Sequence, residues 1–509
     1  ILSGSTFLRN EGLRATLIQS GGLYEIAYDN GKRTLFNSEN RVSEIRDPYT
    51  NTLNFAYASG YLTTVTDTLG HTINYSYYDH NRLKTVTDFS GRKVDFNYYT
   101  GITDSGSYYD LQDIILTNAT GATKTISFEY STGTDVLAHN ITRLIDAKWQ
   151  VYVVNTYDSG DRVATQKYGD GTLTYTYILS GSVITQNTVH DKLGNRTDYT
   201  YDASGNNTAI RYYNPTESSS VLYTYDYNTL GLMIREKRPR GNGYSYTYDA
   251  SGNLIQKRQK ANIDAVDSAS DLVTSSTYNT RNEKLTETLP NGSQVIYTRD
   301  TKGNILTKTL SGAVNYLNTP ITGLTTTYTY LPSWLLQTET TPLTRLTQYS
   351  YTSGQLTALT RATGSLSSTG TFSYSPYGTI LTSTDGDGYT KTYTYTPFDQ
   401  LETLTTASGI VTTYAYDANN NKVRETRYLS GGIAVNSYFY YDSLDHLTGS
   451  LVDVSSTQSI LTSYTYDANG NITDKKIWNG ATVHITYNEF SKPLEERILL
   501  VPGDPSKDI

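Results

Sequence analysis

Ring-bearing and hydroxyl-bearing residues alternate one by one along much of this chain. Tyr244-Ser245-Tyr246-Thr247-Tyr248 and Tyr393-Thr394-Tyr395 place rings on one face of an extended strand and Ser or Thr on the other. An Asp-x-x-Gly follows such runs. Asp bonds its own backbone two residues on, and Gly or Asn accepts positive φ, so this is a turn. A returning strand comes next, as in Asn253-Leu254-Ile255-Gln256-Lys257 or Asn304-Ile305-Leu306-Thr307-Lys308. A second turn closes the unit, at Asp67–Gly70, Asp88–Gly91, Asp191–Gly194 and Pro290-Asn291-Gly292. The pattern predicts a meander of short hairpins. Each needs its neighbours, because an isolated hairpin is marginal in water.

The unit is copied many times. Tyr201-Asp202-Ala203-Ser204-Gly205-Asn206 returns as Tyr248-Asp249-Ala250-Ser251-Gly252-Asn253 and as Tyr466-Asp467-Ala468-Asn469-Gly470-Asn471, with Tyr416-Asp417 as a looser copy. Taking the Tyr before the Asp as anchor gives twenty anchors from Tyr28 to Tyr487, among them Tyr78, Tyr225 and the degenerate Arg299, at a mean spacing of about 24 residues. Residues 1–509 therefore read as one repeat array. Three stretches leave the period: an enlarged turn at Thr100–Ser107, a polar segment at Gln259–Ser270 that suits a loop or a short helix, and Ser311–Thr327. Tolerated surface loops explain them best.

Composition sharpens the picture. Tyr occurs 49 times against 10 Phe, 3 Trp and 1 Met. A ring with a hydroxyl suits a half-wet sheet face better than a dry core. The net charge of −8 gives nothing to attract a polyanion, so nucleic acid is not an expected partner. Absence of Cys excludes disulfides and thiol catalysis without fixing the compartment. No run of about 18 apolar residues predicts a spanning helix. The chain starts without Met or a signal peptide, so we expect a piece of a longer protein whose export signal lies outside it.

The repeated Tyr-Asp phrase with its Asp-x-x-Gly punctuation resembles the YD-repeat (RHS-repeat) superfamily, over roughly Gly22 to Glu496. That superfamily includes bacterial RHS polymorphic toxins, the B and C components of insecticidal toxin complexes, and teneurins. The resemblance implies an all-β fold in which hairpins are wound as a spiral into a hollow barrel or shell. Such closure would remove sticky strand edges, and tyrosine ladders across hairpins would add to each pair. It also implies a shell around a toxin or effector domain, or an extracellular adhesion scaffold. RHS toxins typically end the shell in an Asp-Pro-x-Gly-type motif with self-cleavage. Here Asp504-Pro505 is only a fragment of it, so self-cleavage is not carried over.

No catalytic constellation stands outside the repeat. Six scattered His (71, 80, 139, 190, 446 and 484) show no zinc spacing. Asp385-Gly386-Asp387-Gly388 and Asp417-Ala418-Asn419-Asn420-Asn421 look like calcium loops, but the twelfth position from Asp417 is Tyr428, and turn capping explains them better. Almost every Asp sits at the same repeated place, whereas an active site needs one copy. Trp149, Trp334 and Trp478 are non-repeating aromatics, expected to fill a core or cap the sheet ahead of stacking on sugars. The reading is a non-catalytic shell or scaffold of a secreted or surface protein, needing no cofactor or metal. Its expected partner is an encapsulated or adjoining domain of the same polypeptide. The alternative is a cell-surface adhesin or carbohydrate-binding module.

Overall fold

The computed structural model describes residues 2–3, 6–7, 15–28, 31–78, 81–101, 106, 109–132, 138–312, 324–455, 458–477, 480–488 and 490–499. Among them the fold is all-β, without an α-helix. Leu2–Ser3 and Thr6–Phe7 pair by themselves. The other 42 described strands form runs of antiparallel hairpins, each strand pairing with chain neighbours of its own unit. The chain divides into two compact units: Ile1–Tyr75 with Tyr223–Tyr389, and Ser76–Leu222 with Thr390–Ile509.

One repeat shows the rule. Strand Met233–Lys237 pairs with Gly243–Tyr248 over only three residue pairs, Arg235↔Ser245 to Lys237↔Gly243. Gly243–Tyr248 then pairs with Leu254–Lys260 over a longer ladder, Gly243↔Lys260 to Tyr248↔Leu254. That ladder slips by one residue between Thr247 and Tyr248, leaving Ile255 unpaired in a β-bulge. The same slip recurs at Tyr157, Tyr201, Tyr278, Tyr330, Tyr395, Tyr416 and Tyr466. The bulge is thus part of the repeat.

The alternation behaves as period two requires. Threonine hydroxyls meet across the wet face, as at Thr277–Thr286 (2.7 Å), Thr298–Thr307 (2.7 Å), Thr329–Thr338 (2.6 Å) and Thr394–Thr403 (2.8 Å). The ring face is half-buried. It holds ring pairs such as Tyr152–Tyr168, 6.4 Å between centroids, and cations stacked on rings. Arg238 and Lys257 both sit over Tyr244, at 4.7 and 4.3 Å from its centroid. The expected tyrosine ladder is therefore a mixed ladder of rings and cations. No large side chain is fully buried among the described residues, so these single-layer sheets have no dry core.

Several expectations shift. At the ends of the described strip, Ala15–Ser20 pairs with Leu23–Tyr28, and Pro493–Leu499 with Thr482–Tyr487. Tyr225 is not an anchor: Asp226 lies within the strand opposite Arg235, and the slip falls at Tyr227. Asn228 opens that turn because Gly231 stands at its fourth place. Tyr28 and Tyr78 stand one place later, at the first turn position itself. Of the two readings of the 259–270 segment the loop holds: it is strand to Lys260, then turns. Parts of the 100–107 and 311–327 stretches, Trp478 and Asp504-Pro505 lie outside the described residues.

Trp149 also departs from expectation. It is 70% exposed and takes the glycine position of the turn opened by Asp146, at φ 63°. Trp334 takes the same position at φ 63°, half-buried against Tyr49 at 6.3 Å. A left-handed conformation costs an L-residue with a bulky side chain roughly 1–2 kcal/mol. Trp149→Gly should therefore raise stability, by roughly 0.5–1 kcal/mol after the entropic cost of glycine. Urea unfolding at pH 7 checks this, with an increased midpoint expected.

Candidate functional site

The repeated turn is built from its own carboxylate. Asp202 N–H donates to Asn206 O at 3.0 Å and Gly205 N–H donates to Asp202 O at 3.1 Å. Asp202 Oδ1 accepts the N–H groups of Ser204 and Asn206, each at 2.9 Å, and Oδ2 accepts Asn206 Nδ2 at 2.9 Å. The Asn206 side-chain amide and these N–H groups hold the Asp202 carboxyl below its ordinary value. Asp249 repeats the arrangement with Ser251 and Asn253, and Asp467 with Asn471. Gly205, Gly252 and Gly470 all have φ near 80°, the left-handed conformation the turn demands. After Asp417 that place is taken by Asn420 at φ 75°. The carboxylates thus face their own loops. His71 and His446 take the place of the final Asn and bond Asp67 and Asp442 at 2.9 and 3.0 Å. Asp385 Oδ1 accepts the N–H groups of Asp387 and Tyr389 as a turn carboxylate does.

The anchor tyrosine does something periodicity did not reveal. Its hydroxyl reaches back one repeat and donates to the main-chain carbonyl just before the bulge. Tyr248 donates to Met233 O at 2.8 Å, Tyr416 to Leu401 O at 2.9 Å, and Tyr466 to Leu447 O at 2.7 Å. Tyr57, Tyr177, Tyr278, Tyr330, Tyr441 and Tyr487 do likewise. Tyr201 makes the variant, to Asn187 Oδ1 at 2.8 Å. The ladder between Met233–Lys237 and Gly243–Tyr248 ends at Arg235, short of Met233. The hydroxyl supplies a donor where the ladder no longer does. Arg299, the degenerate anchor, supplies one too: its Nε donates to Lys284 O at 3.4 Å.

Turns also meet turns far along the chain. Within the first unit, Tyr49 OH donates to Asn304 Oδ1 at 3.0 Å. Within the second, Lys148 Nζ bonds Asp445 Oδ1 at 2.7 Å and lies 3.5 Å from Asp417 Oδ2. Asn419 Nδ2 donates to Asp146 Oδ2 at 2.6 Å, and Asn469 Nδ2 to Asp191 Oδ2 at 2.8 Å. Arg92 pairs with Asp399, and the rings of Tyr212 and Phe490 meet at 5.0 Å. In each polar contact a turn that closes a repeat docks on a turn that follows an anchor, 255 to 307 residues later. Of the residues singled out in the sequence, Asp191, Asn304, Asp417, Asn419 and Asn469 join this seam, each as part of a turn. The partners Lys148 and Asp445 carry no sequence signal, because nothing local records which turn will lie opposite.

The seam and the latch make separable predictions. Tyr248→Phe keeps the ring but leaves the Met233 carbonyl without its donor, and should cost about 1 kcal/mol in urea unfolding. At the seam, burial pushes the Asp445 carboxyl up, but hydrogen bonds from Lys148, Asn419 and Asn421 outweigh it and hold it below 3.8. Burial likewise pushes Lys148 down, while Asp445 and Asp417 outweigh it and raise it above 10.5. Asp445 therefore contributes stability above its unfolded value that is lost as pH falls through the lower folded one; the Lys148 contribution is lost as pH rises through its raised value. Unfolding midpoints should fall below about pH 4, and Asp445→Asn should flatten that acid limb while lowering the midpoint at pH 7.

No family model and no curated protein matches the chain. Solved structures do. TcdB2-TccC3-TEV superposes with a TM-score of 0.58 at 12% identity, over 93% of this chain and 32% of that one. TcdB2-TccC3 without hypervariable C-terminal region gives 0.55 at 13%, over 96% and 30%. The Photorhabdus luminescens Tc holotoxin pore (mutation TccC3-D651A) gives 0.55 at 12%, over 95% and 32%. The chain spans about a third of the length of the structures it matches. Its hairpin strip has the fold found in these Tc toxin structures, in agreement with the YD-repeat resemblance of its sequence.

Proposed function

We propose that this chain is a non-catalytic wall segment of an exported YD-repeat protein, which encloses or presents another domain of the same polypeptide. The observation that carries the reading is the fold shared with the TcdB2–TccC3 structures over 93–96% of this chain. One of those structures is described as lacking a hypervariable C-terminal region, so such a region accompanies this fold there. The chemistry of the repeat supports the same reading. Turn carboxylates bond their own loops and anchor hydroxyls bond neighbouring carbonyls. These groups build shape, and the single-layer sheet gives a wall without a dry core of its own. Export is part of the proposal and draws on the likeness to the Tc holotoxin pore.

The test uses the native polypeptide that contains this chain. Under limited trypsin digestion, the adjoining domain should survive in the full polypeptide at protease concentrations that degrade the same domain made alone. Equal digestion in the two settings overturns enclosure.

A further inference from the structure

We infer that the first unit carries a binding site for a sulfate or phosphate ester group, in a cavity of about 350 Å³ on its turn seam. Arg33, Arg46, Arg281 and Lys302 line it, and Asp47 is the acid among its described lining residues. Four cations at one cavity are notable in a chain of net charge −8. The cavity lies where the turn opened by Asp47 faces the anchor turns holding Arg281 and Lys302.

Arg33 and Arg46 stand directly opposite each other across two strands. Like charges so placed destabilise a sheet, and an anion bridging them reverses the sign. Existing contacts engage only part of the cationic capacity. Arg33 pairs with Glu25. Arg46 pairs with Glu44 Oε1 at 2.6 Å. Arg281 bonds Glu283 at 3.0 Å and the carbonyls of Asp300 and Thr301. Each guanidinium carries five N–H donors, so donors remain for a ligand. Lys302 lies over the Trp334 ring at 5.8 Å from its centroid, held by a π face rather than a carboxylate. Asp47 offers little repulsion: Oδ1 accepts the N–H groups of Tyr49 and Asn51 and Oδ2 accepts Asn51 Nδ2. Forked guanidiniums suit tetrahedral oxyanions. The volume is at the small end of ligand sites, and takes one such group with a short attachment.

Isothermal titration calorimetry with inorganic sulfate, at ionic strength held constant with chloride, tests the site on the full chain. Saturable one-to-one binding is expected. Arg46→Gln and Arg281→Gln should each weaken it roughly tenfold. Arg46→Lys should retain part of it, and Arg361→Gln, an exposed position of the same unit outside the cavity lining, should leave it unchanged. Circular dichroism identifies any variant that fails to fold; Arg33→Gln, at a half-exposed side chain, then stands in for it. Parallel titrations with inorganic phosphate and with a sulfated disaccharide assign the preferred source of the oxyanion. Heats that do not saturate, or equal binding by Arg46→Gln and the parent, overturn the inference. So does equal weakening by Arg361→Gln, which would mark general screening.

Discussion

The bond from an anchor tyrosine hydroxyl to the carbonyl before the preceding bulge is the interaction on which this architecture depends. A bulge sharpens the twist of a hairpin and interrupts its ladder. Repeating it at every unit would leave a carbonyl without its ladder donor in every unit. Tyr248 at Met233 and Tyr416 at Leu401 supply that donor from the next repeat. The bond therefore runs between units, and ties each hairpin to the one before it. It gives a physical reason for the lopsided ratio of 49 Tyr to 10 Phe: the ring packs a half-wet face and the hydroxyl completes the neighbour's backbone. Arg299 supports the account, since it replaces the hydroxyl with another donor aimed at the equivalent carbonyl.

Without a dry core, stability comes from nearest neighbours and from the seams. Repeat arrays sum unit and interface terms, and here the interface terms are short ladders, latches and stacked cations. The seams add long-range order within each unit. Lys148 among Asp417 and Asp445 is a partly buried cation facing two carboxylates, and its value rests on the amides of Asn419 and Asn421 completing the network. The same turn residues that cap a hairpin thus also serve as contacts between distant stretches.

This double use explains why carboxylates that look like metal or catalytic candidates read as structure. In a turn such as Asp202–Asn206 both oxygens already accept bonds from the loop. The seam cavity around Arg33 and Arg46 differs, because there two arginines face each other across the strands and two further cations join them from distant turns.

The sequence by itself determined the hairpins, the two faces and the turn chemistry, because alternation and Asp-x-x-Gly act within a few residues. It misled where a local phrase competed with a better turn. Tyr225-Asp226 reads as an anchor, yet the glycine four places after Tyr227 pulled the slip to that residue. Trp149 reads as core, yet a turn required its place and left the ring in water. Only the tertiary structure decided that the hydroxyls latch successive repeats, and that closing turns dock on anchor turns some 255 to 307 residues on. Those outcomes depend on twist accumulated over many hairpins. A one-residue slip per repeat is written locally, but the position to which it carries a turn is the sum of all the slips before it.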